Sequence, residues 1–533
     1  MPHGASSDGG RVRAAELVAA LSLATDLGIA VPVEHGLHST LFAMRLAERL
    51  GLDAQAASET YYSCLLFYVG CTAGAETATV LFGGDDMLTT YATPARFGSR
   101  PEMMAGFLRA LAPPGNAPLV RAAQLARGLP KAAMMFKSNI AALCEVAQML
   151  TGRLGLPASV PPLFAHVAER WDGNGLPGRA KRDEIPLAVR IVHVARDAEF
   201  QRMIGGEEFA ARVIRERAGG AFDPAIATLL ADEARAILAL DTKGSAWAEA
   251  LACEPSPQLT LEGAEIDGAL TAMGNFADLA SPHLVGHSAG VADLATRAAK
   301  RCGFEEADRT AIRRGALVHD VGRVAVPLRI WQKPGPLTPD DWEQVRLHAY
   351  HCERVLTHSP FLARLGPVAT AHHERLDGSG YHRGAPGATL TRPARLLAAV
   401  DAYHAMTEPR PHREALPPAN AAEILAEEAR SGRLDADAVA GVLEESGQQV
   451  PRIERPAGLT DREAEVVGLL ARGLQTKQVA RLLGISVKTA DRHVQNSYAK
   501  IGVSTRAAVA LFAMEHGLVA WGELPIPRTA GRS

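Results

Sequence analysis

The chain has no run of about eighteen consecutive apolar residues, so no membrane-spanning helix is expected. Arg11 and Arg13 near the N-terminus are followed by Glu16 and Asp26, which breaks the pattern of a secretory leader and points to a cytoplasmic protein. No Cys-x-x-Cys pair occurs among the six cysteines, Cys64, Cys71, Cys144, Cys253, Cys302 and Cys352. A disulfide or zinc framework is thereby excluded, and the thiols read as structural ones in a reducing compartment. Net charge is also scarce: at -3 the chain cannot coat nucleic acid or anionic membrane along its length, so any contact with DNA must be local. Alternating strand patterns are few and short beside abundant Ala- and Leu-rich helical periodicity, which predicts an all-α fold.

At 533 residues the chain exceeds what one hydrophobic core usually serves. Two punctuated stretches read as linkers: Asp241 to Gly263, containing CEPSPQ, and Ser446 to Gly458, containing SGQQVPRIERPAG. They predict three parts, at 1–245, 258–448 and 456–523. The first two parts repeat one another. HSTLFAMRLAERLGL from His38 echoes HSAGVADLATRAAKRCGF from His287, and LLFYVG, ending at Gly70, echoes LVHDVG, ending at Gly322. ERWDGNG from Glu169 echoes ERLDGSG from Glu374, and Arg190 then pairs with Arg395. The intervals 169 - 70 = 99 and 374 - 322 = 52 leave about 47 extra residues in the first copy, expected around Gly83 to Pro118.

The second copy concentrates metal-ligating chemistry. His287, His319, Asp320, His348, His372, His373 and Asp401 are imidazoles and carboxylates, the N and O donors that suit first-row divalent ions. Each alone is more simply a satisfied core or surface residue. Together seven could hold two ions, and a carboxylate beside a histidine, as in His319-Asp320, can bridge them for in-line attack on a phosphodiester.

In order, HDVGR (His319 to Arg323), VPLRIWQKPGPLT (Val326 to Thr338), RLHAYHCERVL around His348, HHERLDGSGY (His372 to Tyr381) and AAVDAYHAMTEPRPHR (Ala398 to Arg413) resemble the HD-GYP family across nearly all of this part. The resemblance implies an HD helical bundle with a di-iron or di-manganese centre that hydrolyses cyclic di-GMP. The seven groups would be its ligands, Asp320 its bridge and a bridging hydroxide its nucleophile, with Asp320 and Arg323 in the catalytic machinery. It also assigns Tyr381, Arg410 and Arg413 to substrate, which fits arginine forks gripping phosphate; the alternative is that they are loop-surface residues. His283 would add a ligand if the His287 helix extended one turn back, whereas Ser281-Pro282 suggests that the helix starts there. This sequence departs from the family at Arg323, which stands for a lysine, His382, which stands for the proline of GYP, and His404, which stands for an aspartate. Those departures keep a non-hydrolytic dinucleotide receptor, or a hydrolase of another phosphoester, as alternatives.

At the positions of His319 and Asp320 the first copy has Phe67 and Tyr68, and Val167 and Ala168 replace the histidine pair. Arg196 falls at Asp401, or Asp197 if one gap is allowed. This copy is expected to bind no catalytic metal, while WDGNGLP and FDP (Phe222 to Pro224) retain what its fold requires. It would serve as a packing partner or as a sensor of another ligand.

From Leu459, Thr460 and Glu463 form a capping box, Thr476 precedes a second helix, Gly484 makes a turn and Ser486 caps a third helix: helix-turn-helix spacing. Ala490, Val494, Tyr498 and Ile501 line one side of the third helix. Lys488, Thr489, Asp491, Arg492 and Gln495, with Lys477, are left to meet DNA. Between Leu459 and Val519 eight Lys/Arg stand against five Asp/Glu, a local +3. The segment resembles the LuxR-type domain along its whole length; a helical bundle for protein contacts is the alternative. The resemblance implies four helices, with Thr505 to Glu515 as a dimerisation helix and a homodimer on paired half-sites. Asp491, where the family often has lysine, weakens phosphate attraction but could accept from a cytosine amino group.

Overall fold

The computed structural model describes residues 10–74, 81–82, 88–92, 95–175, 178–241, 244–449, 456–516 and 518–519. Parts of the expected insertion and of both expected linkers, Leu176 and Pro177 of WDGNGLP, and the end of the third part beyond 519 lie outside these residues.

The fold is all-α, as the periodicity predicts. Two compact units are formed, one by Met1–Ser288 with Asp320–Arg364, the other by Ala289–His319 with Leu365–Ser533.

In the first unit, the helix Ala14–Gly28 is buried along almost its whole length, which its Ala/Leu-rich sequence permits. It packs against the helix His35–Arg49, against the turn Val321–Ala325 and against the helix Pro339–Leu356. The described residues of the stretch expected as the first linker instead carry the helix Ala246–Ala252 and the strand Thr260–Glu262. That strand pairs antiparallel with Arg11–Arg13, in the register Arg11 to Glu262. Glu254, only 6% exposed, holds the same seam, pairing with Arg13 and accepting from the Tyr62 hydroxyl at 2.7 Å. Ser359 Oγ donates to Glu16 at 2.5 Å, and the Trp247 and His358 rings stack at 5.2 Å. The first copy and the 320–364 segment are thus packed together within one unit.

The repeat is present, but its first helix is offset from the sequence expectation. His35–Arg49 and His287–Arg301 both begin at a histidine and both run 15 residues. The Gly36 amide donates to Asp26 at 3.1 Å, and the Ser288 amide to Asp278 at 3.0 Å, ten residues back in each case. His35, not His38, is therefore the counterpart of His287; the His-Ser dipeptide at His38 is a coincidence three residues on.

The second unit ends in the domain built of Asp461–Ala471, Thr476–Leu482, Val487–Ile501 and Arg506–Glu515. Thr460 and Glu463 form the capping box, Ser486 accepts from the Thr489 amide, and Gly484 turns at φ 62°. Its core includes Val466, Val467, Leu470, Val479, Val494 and Val509.

Candidate metal centre

Asp320 is fully buried and faces a different imidazole with each carboxylate oxygen. Oδ2 is 3.5 Å from His287 Nε2, and Oδ1 is 3.5 Å from His348 Nε2. Both separations are long for hydrogen bonds. They are shorter than twice the roughly 2.1 Å metal–ligand distance, so one ion can be reached by both donors of each pair. In the second unit, His319 Nε2 is 3.6 Å from Asp401 Oδ1, and a ligating atom of His319 lies within 4.8 Å of one of His372, as His372 does of His373. His319 is bonded directly to Asp320 along the chain.

Three imidazoles are oriented the same way. His319 Nδ1 donates to the Ala316 carbonyl at 2.6 Å, His348 Nδ1 to Val345 at 2.5 Å and His372 Nδ1 to Ala369 at 2.6 Å. A carbonyl can only accept, so each ring carries its proton on Nδ1 and offers the Nε2 lone pair, the arrangement that a metal-binding histidine requires. The donor set fits a divalent ion.

Local sequence explains the placement. Ser288 donates to Asp278 from both its amide and its hydroxyl, at 3.0 and 2.8 Å, which pins the first turn of the His287 helix. A Cβ on Gly322 would lie 2.2 Å from the Cys352 amide and 2.3 Å from the His348 carbonyl, so only glycine lets the His348 helix pack this closely on the turn. Glu374 accepts from the Arg383 and Ala385 amides at 2.9 and 2.8 Å and so folds the loop that presents Tyr381, whose ring stacks on His373 at 4.6 Å. Arg395 holds the end of the loop through the Leu390 and Gly387 carbonyls. Glu374 and Arg395 are signalled in the sequence by their echoes Glu169 and Arg190 in the first copy, whereas Asp278 carries no such motif and its role shows only in the structure.

Arg323 pairs with Asp320 at 2.7 Å. Arg410 is paired with Glu408 at 2.9 Å. Arg413 donates to the Ala405 and Met406 carbonyls at 2.6 and 3.1 Å, which places it on the C-terminal end of the helix Arg392–Met406. His283 is exposed in the separate turn Pro282–Leu284, and Gly286 at φ 85° breaks the chain before the helix starts at His287. The extra helical turn needed to put His283 on the His287 face is absent.

In the ungapped register and among the described residues, His35 is the counterpart that keeps a ligand type. Phe67, Tyr68 and Arg196 meet instead: the Arg196 guanidinium lies 4.3 Å from the Tyr68 ring centre and 5.2 Å from that of Phe67. Arg196 is only 1% exposed. A fixed cation stacked on aromatics thus stands at the positions that correspond to His319, Asp320 and Asp401. Burial pushes the nearby Asp26 carboxyl up to about 7, against the pull of the Arg196 charge and the Gly36 amide. Burial and Arg196 together hold His35 well below the usual histidine range.

This predicts a pH dependence. An unfolded aspartate titrates near pH 3.9 or so, whereas folded Asp26 keeps its proton to about pH 7. Between those values the folded chain binds more protons, so this group lowers stability as pH rises from about 4 to about 7. Asp26→Asn should match the wild type in thermal melts near pH 4 and melt a few degrees higher at pH 8. An equal gap at both pH values would contradict it.

On the third helix of the C-terminal domain Lys488, Asp491, Arg492 and Gln495 are exposed, Thr489 is half-buried, and Lys477 is exposed on the second helix. Ala490 and Val494 are buried, with Tyr498 and Ile501 packed against the same core.

Residues 137–226 and 271–438 match the HD domain family, and residues 457–513 match bacterial regulatory proteins of the luxR family. A 3′3′-cGAMP-specific phosphodiesterase of Vibrio cholerae is 29% identical over 418 residues, 77% of this chain and 90% of that protein. A cyclic di-GMP phosphodiesterase of Thermotoga maritima is 36% identical over 133 residues, 25% of this chain and 36% of that protein. The crystal structure of a cyclic GMP-AMP-specific phosphodiesterase from Vibrio cholerae shares the fold, with a TM-score of 0.56 at 23% identity over 83% of this chain and 99% of that one. Among the described residues no helix is long and apolar enough to cross a membrane.

Proposed function

We propose that this chain, a tandem HD-domain protein homologous to HD-GYP cyclic-nucleotide phosphodiesterases with a C-terminal luxR-family domain, is a cytoplasmic transcriptional regulator whose second HD copy hydrolyses cyclic di-GMP. Its three parts would be 1–245, 258–448 and 456–523. The observation that carries the reading is Asp320, buried between two imidazoles at equal distances, beside histidines whose Nδ1 protons are already committed to carbonyls.

His287, His319, Asp320, His348, His372, His373 and Asp401 would hold two divalent ions, iron or manganese. Such ions supply Lewis-acid polarisation of a phosphodiester and a water acidic enough to ionise near neutral pH. The protein's own part is positioning. Asp320 keeps Arg323 beside the reacting phosphate, and Tyr381, stacked on His373, offers a face and a hydroxyl to a guanine base or ribose. Arg410 supplies a cation at the rim, and Arg413 supports it from the helix end. Lys477, Lys488, Thr489, Asp491, Arg492 and Gln495 would meet DNA, with a homodimer formed through Arg506–Glu515, where Leu511 is 57% exposed.

A second reading rests on one contact. Arg323 already neutralises Asp320, as suits a receptor that binds the dinucleotide without cleaving it. Metal analysis of the purified full chain, product analysis with cyclic di-GMP and 3′3′-cGAMP, and DNA binding with and without each dinucleotide separate the two. Bound metal with a linear product is expected. Metal and tight binding without product would favour the receptor, and no dinucleotide binding would end both.

A further inference from the structure

We propose that Trp331 is a positioning residue that clamps the Arg323 guanidinium so that its unused donors face a phosphoryl oxygen of the substrate; this rests on the phosphodiesterase reading above. The guanidinium carbon of Arg323 lies 5.1 Å from the centre of the Trp331 ring, while Nη2 stays 2.7 Å from Asp320 Oδ2. The indole is tied to the same residue a second time, since its Nε1–H donates to the Arg323 carbonyl at 3.4 Å. On its far side it is anchored against Val326, Ile330, Leu337 and Val345, and its ring meets His348 edge-on at 6.2 Å.

Arg323 is 7% exposed, and among the described residues its Nε and Nη1 have no hydrogen-bond partner. Burying two guanidinium donors without acceptors is costly. An incoming phosphodiester can supply the missing acceptor to one of these two donors at a time, side-on at Nε or end-on at Nη1, because the guanidinium donors match phosphate oxygens in reach and charge. Arginine is longer than lysine and would otherwise sample many rotamers; the indole face removes that freedom and keeps the charge where Asp320 sits. Trp331 touches no substrate in this role and acts through Arg323.

The test is a double-mutant cycle in the full chain, using Trp331→Leu, Arg323→Lys and both, with Trp331→Phe as the conservative variant. Turnover is measured with cyclic di-GMP and 3′3′-cGAMP, and calorimetry measures the affinity of the chelator-stripped protein for the same dinucleotides. Trp331→Leu is expected to lower kcat about tenfold, with KM changed less than about threefold, and to weaken dinucleotide binding by the metal-free protein by about tenfold. In the Arg323→Lys background the same replacement should change either quantity less than about twofold, and Trp331→Phe should retain most of both. Equal losses in both backgrounds, or no loss from Trp331→Leu with Arg323 intact, would overturn the clamp. Absence of turnover in the wild type would instead refute the phosphodiesterase reading, and the calorimetric cycle then decides Trp331 alone.

Discussion

Asp320→Ala should strip the purified protein of its divalent metal and lower dinucleotide hydrolysis by on the order of a thousandfold or more, while the C-terminal domain still binds DNA. Both carboxylate oxygens are engaged, one toward His287 and one toward His348, so one substitution removes the group common to both imidazoles. It also strands Arg323, whose guanidinium loses its carboxylate while remaining buried. Metal analysis and a product assay on the same preparation check the result. Full activity with a full complement of metal would end both the enzymatic and the metal-bound receptor readings.

Gly322→Ala is the second large effect. The added methyl would sit 2.2 Å from the Cys352 amide and 2.3 Å from the His348 carbonyl, both main-chain atoms that cannot turn aside. The Pro339–Leu356 helix must therefore shift away from the turn. Overpacking of this kind costs roughly 3 kcal/mol. It also moves His348 relative to Asp320, so metal affinity should fall together with the melting temperature. A variant with wild-type melting and metal content would show that the helix can yield without cost.

Gly70 holds the same position in the first copy, with a Cβ that would meet the Leu143 carbonyl at 2.2 Å. That shared constraint explains why the paired glycines were legible in the sequence. Motifs built on main-chain geometry, such as the Val-Gly that ends LVHDVG and the ER-x-DG-x-G pattern of ERLDGSG, fix residue type at the points where the backbone demands it, and those points are shared even where the metal-type donors differ. The helix-turn-helix was legible for a similar reason: Thr460, Gly484 and Ser486 each answer a local backbone demand.

Tertiary proximity without a local motif was harder to read. Trp331 lies eight residues beyond Arg323, in the short helix Leu328–Trp331, and no local motif in the sequence points from one to the other. The repeat register was misread at His38 because a His-Ser dipeptide outweighed the more distant Asp26 and Asp278, whose role emerges only when helix starts are seen to hang from them. Arg413 matches a family position by type, yet helix-end carbonyls hold its guanidinium. The linker expected over Asp241 to Gly263 looked loose from its prolines, whereas its strand is paired with Arg11–Arg13, far away in sequence.

That pairing bears on how the protein can be taken apart. The helix Ala14–Gly28, which follows the outer strand, lies against the turn holding Arg323, so the first copy supplies part of the wall behind that arginine. Cutting the gene between the two copies would leave that wall in the discarded fragment and bare a greasy surface on the one kept. Residues 14–28 would therefore have to be kept in any fragment meant to preserve the Arg323 turn.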